Sequence, residues 1–402
     1  MMLVLTLLMA ACKPSTPRRY DPAAVNFRVT YNPSLDGCLY PSLILGVAGL
    51  NEPMPDEAAL FDLQVTSPAN GAVLRVVVDS TPLNYVTIVQ EELPVRGKTY
   101  SFHPMLKWKY DKLYATRQAG AIDMTFTCYV NDEEVGVRNV RLNCRSANEC
   151  IISLRDTGGK QHDFRWLFAG YVNEDHPYID SILTDILDQR VVNSFVGYQR
   201  GEKMVSEQAF AFWYYALERG ISYSSITCTS NPSKRANVQR IRFFDEVYNS
   251  RQANCVDACV FFASLMRKVG LKPVIFVEPC HAYLGYYIDR NRKKIKLLET
   301  TLTSWVNFPE LNRNVDASGR LPDKYYQKVR RYLTEREQQR YEDGRLSFED
   351  MKRAVARHLF DQATNYDVSN YSANKTLFVN STNLSYQQLD IELLRRIVQP
   401  IN

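Results

Sequence analysis

The hydrophobic period of this chain changes once, near Cys150, and that change limits the possible folds more than any other feature of the sequence. Before it, apolar residues alternate with polar ones: Val25, Phe27 and Val29 in one run, Met124, Phe126 and Cys128 in another. A period of two belongs to strands with one buried face. Turn-forming stretches, Pro68-Ala69-Asn70-Gly71 and Asn131-Asp132, separate such runs. After Cys150 the period lengthens. Ile182, Ile186 and Val192 recur at helical spacing between Ser181 and Phe195. The segment SEQAFAFWYYALERG opens on Ser206, read as an N-cap, and closes on Gly220, read as a C-cap. Its stripe of Phe210, Trp213 and Tyr214 reads as core. Beyond Asn307, PDKYYQKVRRYLTEREQQRYEDG reads as a long amphiphilic helix, and LSFEDMKRAVARHLF opens with Ser347 and Asp350 in a capping-box spacing. SYQQLDIELLRRIV repeats the theme with Ser385 before Leu389, Leu393 and Leu394. The expected fold class is α+β, with an N-terminal antiparallel β-sandwich over 24–150, a second domain over 151–305 and a helical C-terminal region over 306–402. That last region reads as domain surface, lid or docking face.

With 402 residues the chain can bury more than one core. Its net charge of +5 is mild, and Lys and Arg are spread rather than gathered, so composition gives no support to nucleic-acid binding. The N-terminus is more telling. MMLVLTLLMAAC is an apolar run too short for a bilayer, which needs roughly 20 residues, and it reads as an export signal over 1–11. Leu8-Met9-Ala10-Ala11-Cys12 resembles the lipobox of bacterial lipoproteins, which implies lipidation of Cys12 and a membrane anchor. An ordinary cleaved signal with an incidental cysteine is the alternative. The Pro-rich residues 12–23 then read as a tether. Lys13 after the lipid-bearing cysteine favours outer-membrane sorting, so the expected location is the bacterial cell envelope. No basic residue precedes the apolar run, which departs from the usual signal pattern.

Eight cysteines remain to be placed, in a compartment that permits disulfides. There is no CxxC pair and only five His, so no metal and no cofactor are expected. His103, in the strand-rich half, reads as a satisfied histidine.

The segment SRQANCVDACVFFASLMRKVG carries the chemistry. Cys255, Ala258, Cys259, Phe262, Leu265, Met266 and Val269 fall on one face of a helix that Gly270 ends. Cys255 lies in its first turn, where open N–H groups and the macrodipole favour an anion. KPVIFVE and HAYLGYYI then read as strands, with His281 starting the second, and KIKLLETT as a third. A three-residue loop at 289–291 would set His281 opposite Glu299, with an uncertainty of one or two residues. Such a pairing lets the carboxylate orient the imidazole, and the imidazole ionise the thiol. Gln252 and Trp213 are candidates for an oxyanion donor. Cys259 reads as packing, and Cys280, beside the base, as a residue that could cap a reactive thiol.

The stretch from Arg240 to Thr301 resembles the transglutaminase-like domain of the papain-like superfamily. Cys255 and Asp257 match its G-x-C-x-D pattern, Arg267 and Gly270 its Arg-x-x-Gly, His281-Ala282-Tyr283 its His-Ala-aromatic, and Glu299-Thr300-Thr301 stands for its Asp-Pro-Thr. Ala253 replaces the usual Gly and Glu299 the usual Asp. The resemblance implies Cys255 as nucleophile, His281 as general base and Glu299 as orienting acid, in an enzyme that cleaves or transfers an acyl group at an amide bond of a peptide or protein. A binding or scaffold protein that keeps the fold without turnover is the alternative.

Overall fold

Alternating runs become strands and 3.6-period runs become helices in the computed structural model, which describes residues 19–48, 59–225, 233–380 and 383–401. The chain is α+β. Cys12 and the signal-like run lie outside the described residues. Among the described residues no helix is long and apolar enough to cross a membrane.

The chain divides into two compact units. The first comprises 1–32, 58–109 and 121–142. Its strands Arg28–Tyr31, Phe61–Thr66 and Thr99–Phe102 form one antiparallel sheet. Ala72–Val78, with Thr87–Leu93 on one side and Gly120–Val130 then Glu133–Cys144 on the other, forms a second. Phe61 from the first meets Phe126 from the second at 5.1 Å between ring centres. Met124, Phe126 and Cys128 are all fully buried, as their alternation requires. Asn131 and Asp132 take positive φ of 50° and 65°, the conformation a two-residue hairpin turn needs. Val25 and Phe27 are also buried, but Val25 ends a helical turn, Pro22–Val25, capped by Asp21, and the strand starts only at Arg28. His103 lies in this unit, its Nε2 4.0 Å from an Asp62 oxygen.

The second unit comprises 33–57, 110–120 and 143–402. Its last segment starts at 143 rather than at the expected boundary after 150, and two earlier segments join it; the strand Glu149–Arg155 pairs with Gln161–Asp163 and Ala236–Arg240 of this unit. The elements that matter for the site are helices α1 (Gly201–Arg219), α2 (Cys255–Lys268), α3 (Phe348–Asn365) and α4 (Val368–Val379), and strands β1 (Pro273–Glu278), β2 (His281–Tyr287), β3 (Ile295–Leu298) and β4 (Gln387–Asp390). The strands form one antiparallel sheet in the order β3-β2-β1-β4. Helix α2 packs on β1 and β2, and α3 on α1 and β3. Val274, Phe276, Tyr283 and Tyr287 join Leu297 and Phe378 in one cluster. Ile275, at the alternate position, is equally buried, so β1 is covered on both faces and reads as an unbroken apolar run.

Three expectations change. Helix α1 starts at Gly201, ahead of Ser206, although Gly220 ends it in the left-handed conformation (φ 77°) as expected. A Cβ at Gly220 would also stand 2.7 Å from the Pro309 ring. Residues 322–344 form two helices, Asp323–Arg330 and Glu335–Glu342, split by Thr334 and Glu337 in a capping box. Finally, 306–402 is largely helical as expected, but it is part of the second unit and supplies a strand to its sheet. Gln387–Asp390 pairs with Val274–Val277 to complete the sheet, and α3 buries Met351, Val355, Leu359 and Phe360. The spacing of Leu389, Leu393 and Leu394 resembles a helix, but side-chain period does not report a partner strand's unpaired edge. Leu389→Ala should therefore cost about 2 to 5 kcal/mol and lower the urea midpoint of the whole second unit. A midpoint that does not move would mean that β4 is dispensable.

Candidate active site

Cys255 is the first residue of α2 because the chain before it is built to start a helix there. Asn254 is the N-cap: its side chain accepts from the Asp257 N–H at 2.8 Å, and the Asp257 carboxylate accepts from the Asn254 N–H at 2.9 Å. The same carboxylate accepts from the Arg242 backbone N–H and from its guanidinium, both at 2.7 Å. Asp257 is fully buried. Burial pushes its carboxyl up, while the donors of Asn254 and Arg242 pull against that. Asp257 thus fixes the turn that carries the cysteine. As first helical residue, Cys255 keeps a backbone N–H without an intrahelical acceptor. Its side chain is partly exposed, while Cys259, one turn on, is fully buried and its thiol pushed up by burial.

His281 starts β2 after a two-residue turn, Pro279-Cys280, in which Cys280 is exposed and left-handed (φ 64°). Glu299 follows β3. The observed register pairs Leu284 with Leu298 and Tyr287 with Ile295, two residues from the expected one, because the loop after Tyr287 is longer than three residues. A shift of two keeps every side chain on its face, and the expected partners still meet. His281 Nε2 lies 2.7 Å from Glu299 Oε2. The other Glu299 oxygen accepts from the Thr301 backbone N–H and hydroxyl. Glu299 is 1% exposed, and its own backbone N–H donates to the Ala363 carbonyl in the last turn of α3.

The imidazole also hydrogen-bonds Cys255. The bond with Cys255 first, and that with Glu299 second, raise His281 from its ordinary value to about 10 against the effect of burial. Burial works to raise the Glu299 carboxyl, but His281 and Thr301 outweigh it and hold it below its ordinary value. Both neighbours thus favour the protonated imidazole, with the carboxylate at Nε2 and the cysteine beside the ring.

Of the residues singled out in sequence, Cys255, His281 and Glu299 come together. Trp213 does not join them: its ring stacks on Phe262 and packs on Phe360, two helical turns along α2. Gln252 is exposed on a short strand, Gln252–Ala253, that runs parallel to Ser222–Tyr223. Arg267 lies at the far end of α2, where Glu174 binds it together with Arg395. The sequence reading missed three contributors. Arg242 and Tyr223 are reached through folds of the chain that carry no motif. Tyr223 is 42% exposed, and its hydroxyl is raised by burial and by the charges of Cys255 and Glu299. Asp367 stands beside Glu299. Ligand-type atoms of His281, Glu299 and Asp367 lie within 4.8 Å of one another, near enough for an ion, but the 2.7 Å bond lets the imidazole and Glu299 satisfy each other directly.

Fold and site together define an α+β protein with a Cys-His-Glu row at a helix N-terminus. Neither the known protein families nor the curated proteins contain a match to this chain.

Proposed function

We propose that the second unit is a transglutaminase-like, papain-like acyl-transfer domain acting on an amide bond of a peptide or protein. The observation that carries this reading is the His281 ring, bonded through Nε2 to the buried Glu299 and raised by the neighbouring Cys255. In the step this supports, the Cys255 sulfur attacks the amide carbon, and the C–N bond breaks as the His281 imidazolium hands its proton to the departing nitrogen. A thioester remains on Cys255. Water or an amine then attacks it, with the neutral imidazole taking the proton and sulfur leaving. The open N–H of Cys255 at the start of α2 is the natural donor to the developing oxyanion. On the same reading the first unit is a β-sandwich, residues 1–11 are an export signal, and Cys12 carries lipid that holds the protein to the cell envelope.

The test is iodoacetamide labelling of the reduced native protein from pH 5 to 9, read by peptide mass spectrometry. Cys255 should label faster than the exposed Cys280 at pH 6, while Cys128, Cys144, Cys150 and Cys259 stay protected by burial. Labelling of Cys255 only after addition of denaturant would sink the acyl-transfer reading.

A further inference from the structure

Asp367 precedes α4, where an aspartate ordinarily caps the helix with its carboxylate. Here the side chain makes no cap bond. It is 6% exposed, and its Oδ2 is buried with no donor to accept from. It turns instead to Glu299, close enough for a hydrogen bond between the two carboxyl groups. Two ionised carboxylates are acceptors only and repel each other when buried side by side, so the pair needs one proton. The hydrogen bonds decide which group carries it. Glu299 already accepts from His281, from the Thr301 N–H and from the Thr301 hydroxyl, whereas Asp367 Oδ2 accepts from nothing.

We propose that Asp367 is a positioning residue that holds a proton, donates it in a hydrogen bond to Glu299, and so locks Glu299 on His281. Glu299 is then held from three sides, and Asp367 acts on the imidazole only through it. The groups that face Asp367 are Glu299, His281 and Tyr283 on the β2–β3 side, Glu278 at the end of β1, and Cys259 on α2. Their balance agrees with the assignment: burial first, then the Glu299 charge, push Asp367 up to about 7, with His281 opposing. The lock is therefore closed below about pH 7 and opens above it, when a second negative charge forms against Glu299.

The inference rests on the Glu299–His281 pair of the proposed site and not on turnover, so it can fail while Cys255 labels, or hold while Cys255 is silent. The experiment is a carbon-13 titration of the full chain labelled at aspartate carboxyls, with Asp367→Asn identifying the resonance. The Nε2–H proton of His281 is followed in parallel. The Asp367 carboxyl should titrate near 7, about three units above an ordinary aspartate. The His281 Nε2–H signal should persist from pH 5 to 9 in Asp367→Asn, whose amide remains a donor, fade above pH 7 in the native chain, and be lost in Asp367→Ala. A native Asp367 that titrates near 4 overturns the proposal, whether or not the alanine variant folds, as do asparagine and alanine variants with the same signal. Equimolar zinc is the second arm. Binding that shifts the His281 signals and vanishes in Asp367→Asn would make the three residues a metal site and overturn it too.

Discussion

Replacing His281 with alanine should slow iodoacetamide alkylation of Cys255 at pH 6 by on the order of 100-fold. A cysteine with an ordinary pKa near 8.5 is ionised to well under 1% at pH 6, and an imidazolium beside a thiol favours its reactive, ionised form. His281 is held well above its ordinary value, to about 10, so its positive charge stands beside Cys255 at pH 6 in the native chain and is missing in the variant, and the difference between the two rates should be largest at the low end of the pH range. Glu299→Gln should fall between the two, because it keeps the ring in place and removes the charge that stabilises it. A variant profile that overlays the native one would show that His281 does not serve the cysteine. The same pair sets a direction for stability. His281 binds its proton more tightly folded than unfolded, so its contribution is complete below about pH 6.5 and is lost as pH rises through about 10. The deficit of His281→Ala in urea unfolding should accordingly be larger at pH 6 than above pH 10.

How much of this was legible in the residues depends on whether the physics acts locally. The start of α2 is local: Asn254, Cys255 and Asp257 form the cap among themselves, and a cap can be read from a four-residue spacing. The meeting of His281 and Glu299 was legible because they lie on successive strands, where a two-residue change of register leaves both on the same face. Asp367 was not legible. It reaches Glu299 only because the last turn of α3 is bonded to Glu299 through the Ala363 carbonyl, and nothing in the sequence near Asp367 records that bond. Strand β4 was misread for the same reason. The edge of β1 selects Gln387–Asp390, whereas the spacing of Leu389, Leu393 and Leu394, taken alone, favours a helix, which begins only at Ile391.

Asp257→Ala should destabilise the second unit by about 3 to 5 kcal/mol, measured by urea unfolding, because it strands a buried partner rather than removing an exposed pair. The Arg242 guanidinium is 13% exposed and bonded to Asp257, and the N–H groups of Arg242 and Asn254 lose their acceptor as well. Asp257→Asn should recover only part of the loss, since its amide offers one accepting oxygen where the carboxylate offers two and turns an NH2 toward a donor. Pairing Asp257→Leu with Arg242→Met separates stability from positioning. Removing both charges leaves no buried ion, so most of the stability should return, in keeping with the near-neutral cost of replacing buried ion pairs by apolar side chains. The reactivity of Cys255 should stay low in that double variant, because the Asn254 N–H remains unpaired and the first turn of α2 is no longer fixed. If reactivity returned with stability, Asp257 would act on the fold alone. If it did not, the buried carboxylate at the third position of α2 is what aims the sulfur at His281.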